Sequence, residues 1–453
     1  MTTLIALGAA IAFIVLATAR WNVHAYLALL LAALGFGLTA GLAPLEVVAA
    51  ANQGFGTTIG NIGAVVILGG VIGVFLERTG GALRIAEAVL KLTGQKNIPG
   101  AMAGVGYVVS IPVFCDSGFV ILSSLNRALS KRAGVTLASG AVALALGLYA
   151  THTLAPPTPG PVAAAGILGA DIGLVIGIGL VIAALALIPG WLFASTIAGR
   201  VYISPDGDVR AEEADAALAA AKAEHAPGVA HAFLPILAPI FLIVLGSVSN
   251  LPAKPFGEGA AAQTIAFFGS PTIALLLGAA LAMTLPRRFS LELIAQESWV
   301  GDAVKATAII LIVTGAGGAF AGVLAKTDIG ATLGALVSGA GGASLGVLIP
   351  FAIASMIKTA QGSSTVSMIT TAGIVLPILP ALGLDSDMAR ALTTVAIGAG
   401  AMVMSHANDS YFWVVTQFSG MSARQGFQLH SLGTLIQGTA AGALVYGAAF
   451  LLL

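Results

Sequence analysis

Charge is what this chain has least of. Only 8% of its 453 residues are Asp, Glu, Lys or Arg, and 19 acids cancel 19 bases. So few charges cannot coat a soluble globule of this length, and with 58% hydrophobic residues and a mean hydropathy of +1.01 the chain reads as a polytopic all-α membrane protein. No basic cluster interleaved with aromatics appears, so nucleic-acid recognition lacks its electrostatic footprint. Cys115 is the single cysteine, which rules out an intramolecular disulfide and any multi-cysteine metal site. Neither a metal nor a cofactor is expected.

What is plentiful is the long apolar run. Stretches near 3–19, 24–42, 58–77, 135–155, 172–198, 230–249, 263–285, 304–325, 388–405 and 432–453 are each about long enough to cross a bilayer, giving ten expected crossings. The first run ends in Ala17-Thr18-Ala19, which resembles a cleavage site. It has no positive residue ahead of it, however, and Arg20 follows it, so it reads as the first span. Two further apolar stretches, 98–126 and 345–380, are broken at their centres by FCDSGF and KTAQGSST, and each reads as a re-entrant hairpin.

This layout puts fifteen of the 19 Lys and Arg on one side of the membrane and leaves Lys254, Lys326 and Arg390 on the other, with Lys358 inside a hairpin. The positive-inside rule then makes the basic loops cytoplasmic and both termini external, in an inner (plasma) membrane. The polar segment within 201–229 is a cytoplasmic linker dividing residues 1–200 from 230–453. Both halves show three spans, a hairpin, an interrupted span and a final span. Five crossings per half is odd, so the two like units lie upside down relative to each other, as an inverted repeat. Gly118 with Gly362, and His152 with His406, are the corresponding positions.

Polar groups inside a membrane are costly, so the polar breaks should line a cavity. VFCDSGF holds Asp116, an isolated acid in apolar surroundings and the first candidate for a proton site; the same carboxylate could cap the hairpin's second half-helix. KTAQGSST offers Gln361, Ser363, Ser364 and Thr365 around Gly362, just where a helix opens and free N–H groups suit a carboxylate; Lys358 adds a point charge or snorkels to the interface. SHANDSYF supplies His406, Asn408 and Asp409. Asp409 is a proton acceptor or a partner for Lys358, and His406 is a proton shuttle or a hydrogen-bonded structural group. In THTLAPPTPGP the prolines stop one half-helix and hold an extended segment ahead of the next, and His152 at its start is a further candidate for proton coupling. Glu46, Asp302 and Asp328 lie near helix ends and are assigned no chemistry. A Ser-His hydrolase remains a remote alternative without a visible nucleophile-base motif.

These motifs together, THxxxPPxPGPVAAAGILGADIG, AQGSSTV and SHANDSYFW in that order, resemble the gluconate permease (GntP) family over nearly the whole chain. The resemblance implies a proton-coupled symporter of small hydroxy-carboxylates such as gluconate, related sugar acids or D-serine, on the inverted-repeat fold of the ion transporter superfamily. It also implies that Ser117, Gly118, Pro156, Pro157, Gln361, Gly362, Ser363, Ser364, Thr365, Asn408 and Asp409 carry substrate, and by analogy a homodimer. Thr158 stands where many relatives have His, Lys358 where gluconate-type members have Arg, and Asp116 where an acid is often Glu. These departures extend the expected substrates to shorter acids such as glycerate, lactate or 3-hydroxybutyrate, and make Thr158 the expected discriminator among them. A sodium-coupled carrier of the same fold is the alternative.

Overall fold

The computed structural model describes residues 2–93, 97–205, 226–250, 254–329, 332 and 343–453. Most of the expected linker, 206–225, therefore lies outside the described residues. Everything regular among the described residues is helical. Seven helices are long and apolar enough to cross a membrane, or eight if one bent pair counts as a single span, so the chain is a multi-pass membrane protein. That is fewer than the ten expected crossings. The apolar helices α1 (Thr2–Ala19) and α2 (Ala25–Thr39) fall short of that length, and the expected span 388–405 is a helix that ends at Met402.

The longest element is α3 (Pro44–Arg78), which starts fourteen residues before the expected span. Pro44 fits the first turn, where no backbone donor is needed, and Arg78 sits in the last turn, where a cation suits the helix dipole. A short amphipathic helix, α4 (Gly81–Thr93), follows; it was not anticipated, because its charges Arg84, Glu87 and Lys91 read as loop. Next come α5 (Ile98–Val109) and α6 (Cys115–Ala133), joined by a bend over Ser110–Phe114 that contains Pro112. α7 (Leu137–Leu154) is buried along its whole length, and after a break it leads into α8 (Pro159–Leu168). α9 (Ile172–Thr196) starts at Asp171, whose carboxylate accepts from Leu174 N at 2.8 Å and from Ser247 Oγ at 2.6 Å.

The second half begins with α10 (Val229–Ser249), then α11 (Ala260–Gly269) and α12 (Pro271–Ala282), which meet at a 62° bend. α13 (Trp299–Leu324) runs antiparallel to α3. At one end Arg78 bonds Asp302 at 2.6 Å while Phe75 meets Trp299 edge to face. Toward the other end the backbones touch: a Cβ on Gly54 would sit 2.2 Å from Gly318 O. α14 (Leu348–Gln361) and α15 (Ser364–Val375) fold back on each other about Gly362, with Ser367 Oγ donating to Ala354 O at 2.7 Å. With its leading turn, α14 is itself long enough to span. α16 (Asp387–Met402), a break, α17 (Ser410–Phe418) and α18 (Leu432–Leu452) complete the chain. A π-helical turn at 427–431 precedes α18.

The packing partners of the two halves match. α5 packs on α7 and α14 on α16; α7 packs on α9 and α16 on α18; α6 meets α17, and α8 meets α15. The Gly118 and Gly362 positions do not match. Gly362 is the bend itself, with φ +93°, whereas Gly118 lies one turn inside α6, because Pro112 and its neighbours already turn the chain. His152 and His406 differ likewise: the first is in the last turn of α7, the second in the break after α16.

Candidate functional site

A cavity of about 330 Å³ lies where these interruptions converge. Three helix N-termini open on it. α6 contributes Cys115 and Asp116, α15 contributes Ser363, Ser364 and Thr365, and α17 contributes Asp409, Ser410 and Tyr411. Unpaired N–H groups and aligned peptide dipoles make each such end attractive to an anion. The remaining wall comes from Phe114, from Tyr149 and His152 of α7, from Ile310 of α13, and from Gln361 and Asn408.

Why the chain bends here follows from local chemistry. Gly362 adopts a left-handed conformation, and a Cβ there would meet Asn408 O at 2.1 Å, so only glycine fits between α14 and the neighbouring break. Ser363 caps α15 by accepting from Val366 N at 3.3 Å. The carbonyls left over at the end of α14 are taken up from across the gap: Asn408 Nδ2 donates to Thr359 O at 3.0 Å and to Ala360 O at 3.1 Å, and His406 Nε2 lies 2.8 Å from Thr359 O. His406 thus ties two elements together and does not line the cavity.

The two acids have different surroundings. Asp409 is buried and satisfied: its Oδ2 receives Lys358 Nζ at 2.5 Å and Ser405 Oγ at 2.5 Å, and its Oδ1 receives Tyr411 N at 3.1 Å. Lys358 is fully buried, and it also donates to Gly362 O. Its Nζ lies 5.7 Å from the centre of the Tyr149 ring, and Lys358 itself is not part of the wall. Asp116 faces the cavity with Oδ1 unbonded among the described residues, while its Oδ2 is 3.8 Å from Cys115 Sγ.

Of the residues singled out in the sequence, Asp116, His152, Gln361, Ser363, Ser364, Thr365, Asn408 and Asp409 line this cavity together. Ser117, Gly118, Gly362, Lys358 and His406 stand behind the wall or beside it. Pro156 and Pro157, joined by a cis peptide bond, line a separate apolar crevice with about 10 Å³ of free space, against Pro235 and Pro239 of α10. Thr158 is also displaced: it is buried, and its hydroxyl donates to Ala155 O at 2.6 Å, closing the break on itself. Thr158, expected to line the site, is therefore not part of the wall of this cavity.

Sequence reasoning missed Tyr149, Tyr411, Ser405 and His430. Tyr411 Oη donates to Ala145 O at 3.0 Å, which seats α17 on α7. His430 is fully buried in the π-helical turn, with Nε2 3.1 Å from Ser405 Oγ, so that His430, Ser405, Asp409 and Lys358 form one hydrogen-bonded chain behind the cavity. The two tyrosines sat close to recognised motifs and could have been found there. His430 lies in SARQGFQLHS, a polar stretch that reads as a loop leading into the last span and not as a break within an apolar run.

Comparison with known proteins agrees with this architecture. The family model "GntP family permease" matches residues 2–451. An uncharacterized permease of Haemophilus influenzae is 36% identical over 429 residues, 92% of this chain and 86% of the relative. The gluconate permease of Pseudomonas aeruginosa is 33% identical, covering 93% and 92%, and the D-serine transporter DsdX of Escherichia coli K12 is 31% identical, covering 94% and 93%. Among solved structures, the Alcanivorax borkumensis YdaH transporter superposes with a TM-score of 0.62 at 16% identity over 89% of this chain and 88% of that one. Neisseria gonorrhoeae MtrF, from work on a class of antimetabolite efflux pumps, superposes with a TM-score of 0.64 at 14% identity over 90% and 85%. With a family match over nearly its full length and relatives named as permeases and transporters, the chain belongs to the GntP permease family and is a membrane transporter, not an enzyme.

Proposed function

We propose that the protein is a secondary active transporter that carries a small hydroxy-carboxylate together with a proton. The observation that carries this reading is the convergence of three helix N-termini on one cavity with two carboxylates, of which Asp409 is paired with Lys358 and Asp116 has no cationic partner among the described residues. The N-termini and the hydroxyls of Ser363, Ser364, Thr365 and Ser410 hold the anion and its hydroxyl groups. Asp116 takes the proton: a charged Asp116 beside a bound carboxylate is repulsive, and protonation removes the repulsion, which couples the two cargoes. Asp409 keeps its partner Lys358 and shapes the floor. His152 contacts the cargo, and His406 holds the break in place.

We further infer an inverted repeat of 1–200 and 230–453 around the linker 201–229. Its re-entrant hairpins are α5 with α6 and α14 with α15, and its interrupted spans are α7 with α8 and α16 with α17. The matching packing partners of the two halves support this. So does the basic bias of the loops at one end, which puts both termini outside an inner membrane. Alternating access then moves the hairpins and interrupted spans against a scaffold that includes α3 and α13, and a homodimer through that scaffold follows by analogy. The cargo class comes from relatives named for gluconate and D-serine, extended to glycerate and 3-hydroxybutyrate.

The test is uptake of labelled gluconate, D-glycerate and D-serine into proteoliposomes under a pH gradient alone and a sodium gradient alone. Accumulation driven by the pH gradient is expected. Accumulation driven only by sodium would move the hydroxyl-lined bend at Gly362 to the role of a cation site, and downhill flux without accumulation would sink the carrier reading.

A further inference from the structure

A second cavity, of about 440 Å³, opens nearer the C-terminal end of α13. Its wall carries Gly318, Ala321 and Gly322 of α13, Ala325 and Lys326 just past its end, and Arg390 at the start of α16, whereas the first cavity touches α13 at Ile310 and lies beyond the far end of α16. At 1.5 Å per residue, Ile310 and Gly318 are about 12 Å apart along α13. The two cavities are therefore stacked along the bundle. Between them stand α8 and α15, packed against each other. Ser364 and Thr365 at one end of α15 line the first cavity, and Leu376, just past its other end, lines the second.

The chemistry of the second wall is specific. Gln53, Thr57 and Asn61 recur every four residues on α3, so they form one polar stripe, which Thr58 adjoins; all three are exposed and line the cavity. A stripe of this kind is unfavourable against lipid and is tolerated where it faces an aqueous space. Two cations, Lys326 and Arg390, share the wall, and no Asp or Glu lies on it. Arg390 is held in place by two backbone carbonyls, donating from Nη1 to Leu168 O at 2.5 Å and from Nε to Asp385 O at 2.9 Å, which leaves Nη2 for another acceptor. Among the described residues neither cation has a carboxylate partner.

We propose that this cavity is a second binding site for the transported carboxylate, a station on the path at the opposite side of the α8 and α15 partition from the central cavity. Lys326 and Arg390 receive the carboxylate, and the amides and hydroxyl of the α3 stripe receive the hydroxyl groups. The inference rests on carboxylate transport, and its test separates the two. Proteoliposomes holding the full chain are assayed for pH-driven uptake of labelled gluconate, D-glycerate and D-serine, as wild type and as the variants Lys326→Gln, Asn61→Leu and Asn61→Gln. Arg390 is left intact because it also caps α8.

Lys326→Gln and Asn61→Leu should each raise KM about ten-fold, the scale of one lost charge-assisted or buried polar contact, with kcat within about two-fold of wild type. Asn61→Gln, which keeps the amide, should retain the wild-type KM. Added salt should depress wild-type uptake at low substrate, and Lys326→Gln should flatten that dependence. Unchanged KM in both Lys326→Gln and Asn61→Leu would overturn the site, as would a loss confined to kcat. Failure of the wild type to take up any of the three acids would overturn the carboxylate reading and this site with it.

Discussion

Lys358 Nζ and Asp409 Oδ2 lie 2.5 Å apart with side chains 0% and 7% exposed, joining the end of α14 to the start of α17 directly beneath the central cavity. The sequence left the lysine open between a substrate anion, the membrane interface and Asp409, and the third is what the structure shows. Its charge is already spent on a carboxylate of the protein itself.

Breaking this pair on one side should be far worse than removing it entirely. Lys358→Met leaves a buried carboxylate unpaired and should destabilise the protein by about 3–5 kcal/mol, whereas Lys358→Met with Asp409→Leu should recover most of that loss. Thermal unfolding in detergent measures both. Equal destabilisation by the single and double changes would show that the pair is not the coupled unit described.

Asp116→Asn removes the cavity carboxylate that has no cationic partner among the described residues while keeping its size. Uphill accumulation under a pH gradient should fall more than about ten-fold, while exchange of labelled for unlabelled substrate across the membrane continues, because exchange needs no net proton movement. Wild-type accumulation in the variant would remove Asp116 from the coupling step.

Thr158→His is expected to act on folding, not on choice of cargo. The hydroxyl is buried against Ala155 O, and an imidazole there overpacks the break at a cost of about 1–3 kcal/mol. Relative uptake of gluconate, D-glycerate and D-serine should keep its order. A reordered preference would return Thr158 to the binding wall.

His430→Leu should be markedly worse than His430→Gln. Leucine leaves Ser405 without its second partner in a buried chain, at about 1–3 kcal/mol, while glutamine can still reach the hydroxyl. Expression level and melting temperature of the two variants give the comparison. Indistinguishable variants would mean that His430 only fills space.

Which of these features were readable in the sequence follows from where polarity is scarce. KTAQGSST and SHANDSYF stand out because each interrupts an apolar run, and their residues do meet around the cavity. Asp116 was legible for the same reason. Gly118 was placed at a bend because glycine and a neighbouring acid resemble a turn, but the helix had already begun at Cys115 and the turning residues were the apolar Ile111, Pro112 and Val113. Lys358 was left with several possible partners, and Thr158 was placed beside the cavity, for another reason. Sequence gives the position of a side chain along the chain, but not which of two close partners takes up its hydrogen bonds. His430 was invisible because its partners, Ser405 and Tyr411, lie some twenty residues away in an earlier element. The stripe Gln53, Thr57 and Asn61 was legible in principle through its spacing of four, but the expected span at 58–77 cut across it, leaving Gln53 and Thr57 outside and Asn61 within.

The contact between Gly54 and Gly318 has a mechanical meaning. Gly54 meets the Gly318 carbonyl, and a Cβ on Gly322 would lie 2.8 Å from Ala50 O, while Arg78 with Asp302 fastens the other end of the same two helices. With backbone against backbone at one end and an ion pair at the other, a slide of one residue would drive atoms into each other. α3 and α13 are thus keyed together at both places, a single stiff beam in the bundle.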